Sequence, residues 1–489
     1  MAVAERLGPS ARPTRTASRA WGLCLALLPG ACGSSPSLEI SSAAHSPDDD
    51  PAEALHREAS RTEERTEAQR TEAQRTEAQR TEAQRTEAQR TEAPGETAPP
   101  PEVSPSGPSG QGAPSEPPSP QPGDEVLVAI DTHSDTTQRL LDEHADLSAR
   151  LEDGHLDLPR MREGGLTAVF MSLWVDPRRF RGEAAWERTR ALVAAVRAFV
   201  AAHPDEVALA TTAAEVRAAA RARRVAFLMG LEGAHGLGEN EPDVLLERLA
   251  ELARGGVRYV TLTWTNDNAF GHASTGAHPR RGLTETGRAL VARMNALGVM
   301  VDVSHVSDRT ALDAIEASRA PVIASHSGAR AVGDHPRNLP DAILRRIGET
   351  RGAVCVNYYA QFVDPTYGEA RRALEREHRA EFDALPHGRS WSTSDARNAL
   401  ARRLAPALRP PTLRRLGEHF AHIAHIAGPH VPCLGSDFDG VGELPSGMRD
   451  VSDLPALFRE LERRHLEVRA IAADNVLRVM ESAERAAAR

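Results

Sequence analysis

The residues of this chain best suited to chemistry are scattered imidazoles and carboxylates, each standing just behind a short apolar run. Asp131-Thr132-His133-Ser134-Asp135 follows one run, Glu232-Gly233 another and Ser304-His305 a third. Ser325-His326-Ser327 and Gly435-Ser436-Asp437-Phe438-Asp439 follow two more. Neutral imidazole nitrogens and carboxylate oxygens are the donors that zinc, manganese and iron take. His133, His305 and His326 with Asp135, Asp437 and Glu232 exceed what one tetrahedral ion needs. Two ions roughly 3.5 Å apart repel one another and need an anionic bridge with two oxygens. The chain contains no lysine. That removes a carboxylated-lysine bridge, together with Schiff-base and P-loop lysine chemistry, and makes Glu232 the natural bridging carboxylate. A single His-x-Asp means little, and His235, His278, His422, His425 and His430 read as capping or surface residues. The joint placement behind strands is what points to a metal site.

The apolar runs must position these residues. They are Val126–Ile130, Leu166–Trp174, Val225–Leu231, Val257–Trp264, Val299–Val303, Pro321–Ala324, Ala353–Tyr358 and Val431–Leu434. Each is short and nearly continuous, as a strand buried on both faces should be. Amphipathic stretches such as Glu187–Ala202, Asp243–Ala253, Thr284–Leu297 and Asp308–Ser318 separate most of them. Eight β-then-α units in residues 125–489 predict an α/β fold, a (β/α)8 TIM barrel. A doubly wound sheet is the alternative, but it does not require polar residues behind so many strands. In a barrel all strand C-termini open on one face, so the scattered residues converge.

The same residues carry a family resemblance. Asp131–Asp135, His155-Leu156-Asp157-Leu158-Pro159, Leu231-Glu232-Gly233 and Arg258–Thr263 match in order. So do the stretch from Gly282 through Val301-Asp302-Val303-Ser304-His305 to Ser327, His335-Pro336-Arg337-Asn338, Gly435–Gly440 and Asp474–Val479. From about 125 to 484 the chain resembles the membrane (renal-type) dipeptidases of the amidohydrolase superfamily. The resemblance implies a dinuclear zinc site, with His133 and Asp135 on one ion, His305 and His326 on the other, and Glu232 bridging. It implies a metal-bridged hydroxide as nucleophile, Asp437 as its proton acceptor and later donor to the leaving amine, and Arg337 as partner of the substrate's C-terminal carboxylate. The substrates implied are small dipeptides, including those with a C-terminal D-residue. Members of the family are often dimers, so a homodimer is an assembly the resemblance allows. One position departs from the pattern: after Thr261-Leu262-Thr263 the family's usual His is Trp264. Indole offers one N–H donor and no basic nitrogen, and losing one oxyanion donor costs about 2.7–4 kcal/mol unless it is replaced. Trp264 is thus a substrate-contacting candidate, and Asn266, Asn268 and His272 are alternatives for the donor. This substitution keeps open an amidohydrolase for another small N-acyl amino acid; a weakly catalytic surface-binding lipoprotein is the non-enzyme alternative. The segment from Gln361 to Pro411 reads either as a lid or pocket wall or as an exposed helical insertion.

The N-terminal part has another texture. Residues 1–32 hold four Arg and one Glu, then an apolar run from Trp21 to Leu28 and Pro29-Gly30-Ala31-Cys32. This resembles a lipoprotein-type signal peptide with Cys32 as the lipidated residue. The run is too short to span a bilayer, and a lipid on Cys32 would hold the protein to a membrane without a spanning helix. Residues 33–124, with eight Arg against eighteen acids, contain Arg-Thr-Glu-Ala-Gln repeats from Arg65 to Arg90 and eleven prolines between 94 and 122. Without an apolar stripe they cannot build a core and read as a disordered tether. The expected location is the bacterial cell envelope, lipid-anchored or periplasmic to extracellular. Residues 125–489 balance 47 Arg against 50 acids, which argues against nucleic acid as a partner. Cys355 and Cys433, in two different runs, are expected to be small buried apolar residues and not a disulfide.

Overall fold

The computed structural model describes residues 128–385 and 391–488, with the side chains of 391–394 left aside. The leader with Cys32, the repeats and the Pro-rich tether lie outside the described residues. Nine parallel strands are found among those described: β1 Ile130–Ser134, β2 Ala168–Trp174, β3 Val207–Leu209, β4 Val225–Glu232, β5 Val257–Thr261, β6 Met300–Asp302, β7 Ile323–Ser327, β8 Ala353–Val356 and β9 Pro432–Leu434. Their order is β2-β1-β9-β8-β7-β6-β5-β4-β3, and β2 also pairs with β4 from Ala168↔Ala226 to Trp174↔Glu232. That pairing closes a ring of eight strands, the (β/α)8 barrel expected from the eight apolar runs. The ninth strand, β3, pairs only with the first residues of β4, Val207↔Val225 to Leu209↔Phe227. Three residues give too little alternation to be read from sequence.

Helices follow the strands as the pattern requires. Gly182–Ala202 follows β2, Pro242–Gly255 follows β4, Glu285–Leu297 follows β5 and Asp308–Ala317 follows β6. Their starts are set locally. The Thr284 side chain accepts from Gly287 N and the Ser307 side chain from Thr310 N, each satisfying one of the orphan donors of a first turn. These two caps fix where the chain leaves the active face after β5 and β6. No helix of the described residues is long and apolar enough to cross a membrane.

Side chains alternate across each strand, and the two apolar clusters follow that alternation. Val169, Met171, Phe227, Met229 and Leu231 pack with the helices. Ile130, Phe170, Leu228, Tyr259, Met300 and Ile323 pack in the other cluster, inside the barrel. Cys355 and Cys433 belong to this inner cluster, and here the structure corrects the sequence reading. The two are paired directly across β8 and β9 and form a disulfide, 78 residues apart in sequence. Each is small and fully buried as expected, but the interstrand register that brings the thiols together is a tertiary property absent from either run.

Candidate metal centre

At the C-terminal ends of β1, β4, β7 and β9, and just past β6, the barrel gathers every metal-ligand candidate named above. Glu232, the last residue of β4, divides its two oxygens. Oε2 lies 3.4 Å from His133 Nε2, while Oε1 lies 2.9 Å from His305 Nε2 and 3.5 Å from His326 Nε2. On the far side of His133 Nε2 are Asp437 Oδ1 at 3.9 Å and Asp135 Oδ1 at 4.0 Å. The His133 and His326 rings stack with centroids 3.7 Å apart. His305 and His326 turn Nε2 toward Nε2 at 2.8 Å. All six residues are buried.

The loops that carry them are shaped for it. Backbone φ is +65° at His305 and +65° at Asp437, a left-handed conformation that a non-glycine residue adopts at a cost of order 1–3 kcal/mol and that clusters at functional sites. Gly440 must lack a side chain, because a Cβ there would sit 2.2 Å from Asp437 Oδ1 and 2.5 Å from Asp135 Oδ2. Asp437 N donates to His133 O at 3.1 Å, and Asp135 N to Phe438 O at 2.8 Å. These bonds lace the β1 and β9 ends together.

The electrostatics are those of a crowded anionic cluster. Burial alone would lower the His133 imidazole, but the charges of Glu232, Asp437 and Asp135 raise it to about 9. Burial pushes Asp135 up to about 8, with Glu232 adding to the rise. Burial also lifts Asp437 to about 6, with Glu232 adding and His133 opposing. Glu232 is itself held well below the ordinary range: burial works against this, but the charge of His133 and the close approach of the three imidazoles prevail. The cluster therefore needs positive charge among its carboxylates. Among the described residues, His133 Nε2 and Asp135 Oδ1 have no hydrogen-bond partner, and two imidazole nitrogens in direct contact need a proton or cation between them. Two donor groups, His133–Glu232–His326 and His133–Asp135–Asp437, each hold their ligand atoms within 4.8 Å of one another. The residues fit a divalent cation of the zinc, manganese or iron type.

Arg337 stands beside the cluster, 4 % exposed. Its Nη2 donates to His326 O at 3.0 Å and its guanidinium lies 5.5 Å from the centre of the Phe362 ring. Nε and Nη1 have no hydrogen-bond partner among the described residues. Trp264 lies three residues beyond the end of β5, which stops at Thr261 rather than running on as the apolar pattern suggested. Its ring packs edge-on against Trp174, centroids 5.1 Å apart, and is 6.2 Å from the His305 ring. The alternative donors are mostly spent. Asn268 donates to Leu262 O and accepts from Phe270 N and Gly271 N, and His272 Nδ1 bonds Gly282 O. Of the histidines read as structural, His235 bonds Val175 O and His422 bonds Asp341.

The long segment after β8 begins beside Arg337. Its first short helix, Ala360–Val363, supplies the Phe362 that faces Arg337. Arg371 bonds Glu443 at 3.1 Å and Asn398 at 3.2 Å, and Tyr367 bonds the same Glu443. Glu443 belongs to the same loop after β9 as Asp437. The sequence reading missed Asn357, whose Nδ2 donates to Asp437 Oδ2 at 2.8 Å. It also missed Tyr259, Asp302 and Ser325, which stand behind the imidazoles. Ser325 and Asp302 adjoin named motifs, whereas Tyr259, in mid-strand, carries no polar pattern to mark it.

A closed parallel barrel that brings imidazoles and carboxylates together at cation spacing on its C-terminal face defines a metal-dependent hydrolase. The family model for membrane dipeptidase (peptidase family M19) matches residues 124–489, and the chain belongs to that family of metallopeptidases. A protein described as an uncharacterized dipeptidase of Schizosaccharomyces pombe is 32% identical over 342 residues, covering 66% of this chain and 72% of its own. The crystal structure of dipeptidase AC, an M19 metallopeptidase, is similar at 28% identity and a TM-score of 0.59, covering 73% of this chain and 99% of its own. A metallopeptidase of Rhodobacter sphaeroides, solved with a phosphinate mimic of the dipeptide L-Ala-D-Ala, is 27% identical at a TM-score of 0.59, with the same coverage.

Proposed function

We propose that this chain is a dinuclear zinc dipeptidase that cleaves small dipeptides, those with a C-terminal D-residue included. The observation that carries the reading is Arg337. A buried guanidinium with Nε and Nη1 unpaired, next to a metal-type cluster, is suited to a substrate carboxylate through charge-assisted hydrogen bonds. A free C-terminal carboxylate one residue from the scissile bond is what a dipeptide presents. The phosphinate dipeptide mimic bound by the Rhodobacter sphaeroides relative supports the D-residue.

In this reading His133 and Asp135 would hold one ion and His305 and His326 the other, with Glu232 serving both. When bound, the zinc pair supplies an acidified water and a Lewis acid for the scissile carbonyl. Asp437, lifted toward neutrality and oriented by Asn357, takes the proton of the attacking water and returns it to the leaving amine. Arg337 fixes the substrate's far end, which sets the register of the carbonyl over the cluster. Trp264 forms the wall beside His305 and presents an indole in place of an imidazole, so substrate preference shifts there.

We assign the enzyme to the bacterial cell envelope, tethered by a lipid on Cys32. The basic leader and the Cys355–Cys433 disulfide support this, since disulfides persist in oxidising compartments. A second reading, a hydrolase of another N-acyl amino acid, is favoured by Trp264 alone. The test is metal analysis of the purified chain with a panel of L,L- and L,D-dipeptides, their C-terminal amides and N-acyl amino acids. The expected result is about two zinc per chain and chelator-sensitive cleavage of free dipeptides but not of their amides. Two metals with cleavage of N-acyl amino acids only would replace the dipeptidase by the second reading.

A further inference from the structure

Behind the metal cluster lies a second set of polar side chains that are not themselves ligand candidates. Asp302, the last residue of β6, is fully buried. Its Oδ1 accepts from Ser304 N at 3.0 Å and Ser325 N at 2.9 Å. Its Oδ2 accepts from Thr261 Oγ1 at 2.5 Å and Ser325 Oγ at 2.6 Å. Four donors on two oxygens make it the hub of the network. Having given its proton to Asp302, the Ser325 hydroxyl is left as an acceptor, and His326 Nδ1 lies 2.8 Å from it. The proton of His326 therefore belongs on Nδ1, and the lone pair on Nε2 points to the cluster.

His133 is held in the same way from the other side. Its Nδ1 lies 2.8 Å from Tyr259 Oη, while its Nε2 faces Glu232, Asp135 and Asp437. Tyr259 is fully buried and has its place because residue 230 is glycine: a Cβ there would lie 2.0 Å from Tyr259 Cζ. His305 is the contrast. Its Nδ1 has no hydrogen-bond partner among the described residues.

We propose that Asp302 is a positioning residue for the metal centre, orienting His326 through Ser325, and that Tyr259 is its counterpart for His133. The inference rests on the dinuclear reading of the site. Groups that bond the far nitrogen of a ligating imidazole fix its tautomer and ring angle, and removing them typically costs 10–100-fold in metal affinity. One imidazole on each ion is then set from behind, His326 by the Asp302–Ser325 pair and His133 by Tyr259. The third imidazole, His305, is left to Glu232.

The experiment is zinc titration of the full chain against a competing chelator, resolving two stepwise affinities, with the absorption bands of the cobalt-loaded protein as a second readout. Melting temperature of the metal-free protein is recorded for each variant. Tyr259→Phe should weaken one of the two affinities about 10-fold and spare the other. Ser325→Ala should weaken the other at least as much. Asp302→Asn should weaken the same affinity as Ser325→Ala, about 10–100-fold, and shift the cobalt bands of that site. Should Asp302→Asn fail to fold, Tyr259→Phe and Ser325→Ala decide between them. Wild-type affinities in both of those variants overturn the proposal, as does a lowered melting temperature without any change in affinity. A wild-type chain that binds fewer than two ions would instead sink the dinuclear reading itself.

Discussion

Inside the barrel, two residues of strand separate two kinds of interior. Ile130, Phe170, Leu228, Met300 and Ile323 form one level, apolar and fully buried or nearly so. Two positions further along the same strands are Thr132, Ser172, Gly230, Asp302 and Ser325, equally buried. The step is about 7 Å. The first level stabilises the fold by area removed from water, non-directionally. The second can be buried only because each polar atom is answered. Thr132 Oγ1 donates to Leu434 O at 2.8 Å, Ser172 Oγ to Glu232 Oε2 at 3.2 Å, and Asp302 takes four bonds. Tyr259 crosses the boundary. Its ring packs 5.1 Å from Phe170 and its hydroxyl meets His133, which is the double use a phenol allows. The apolar level thus serves as a rigid floor, and the polar level converts that rigidity into ligand geometry. Stability and function should separate along this line.

The largest break should come at Glu232, where three imidazoles and the carboxylate cluster meet. Glu232→Ala should empty one or both metal positions by elemental analysis and lower kcat/KM by roughly 10⁴-fold, the scale of removing one member of a catalytic unit. Retention of two metals would end its bridging role. Asp437→Asn keeps the shape and the Asn357 contact on one side but removes the base. It should leave two metals bound and lower kcat by about 10²–10⁴-fold with little change in KM, read in a steady-state assay. Leu228→Ala, on the apolar level of the strand that ends in Glu232, should do the reverse. It should cost about 2–5 kcal/mol in urea unfolding of the metal-free protein while both zinc affinities stay at the wild-type values. A drop in metal affinity there would mean that floor and site are not separable.

The floor was far more legible in the sequence than its connections. Continuous Val/Leu/Ile runs announce buried strands, and polar residues just behind five of the eight announce the active face, so His133, Glu232, His305, His326 and Asp437 are legible in the sequence itself. The motif around Arg337 gave its position but not its two unpaired nitrogens. What stayed hidden depends on register between strands. Cys355 and Cys433 are unremarkable in their own runs, and only the β8–β9 pairing makes them a disulfide. Tyr259 reads as one more apolar strand residue until the barrel closes beside His133. Its signal was Gly230, a glycine within an otherwise side-chain-rich strand, which marks a close approach. The segment from Gln361 onward gave helices but not their anchor, because Glu443 lies beyond it in sequence and meets Arg371 only in space.

A last and smaller effect concerns the wall around Arg337 and separates it from the metal cluster by pH. His419 is buried between the loop after β7 and the short helix Ala360–Val363, its Nδ1 accepting from Ala329 N at 3.0 Å and its Nε2 donating to Val363 O at 3.1 Å. Both nitrogens are used only if the ring is neutral. Burial lowers its pKa to about 4, opposed by the Val363 bond and aided by Arg415. In the unfolded chain the ring returns to about 6.5. Between those values the unfolded chain binds the extra proton, so stability is full above pH 6.5 and falls as the pH drops toward 4. The loss from this ring is about 3 kcal/mol at most. His305 and His326 are lowered in the same way, whereas Asp135 and Asp437 are raised and act in the opposite direction, so the contribution of His419 is read as the difference between wild type and variant. His419→Gln should be less stable at pH 7.5 and show a shallower decline from pH 6.5 to 4, measured by urea unfolding at intervals across that range. An unchanged slope would mean that His419 already carries its proton in the folded wall, and that Ala329 N is not its donor.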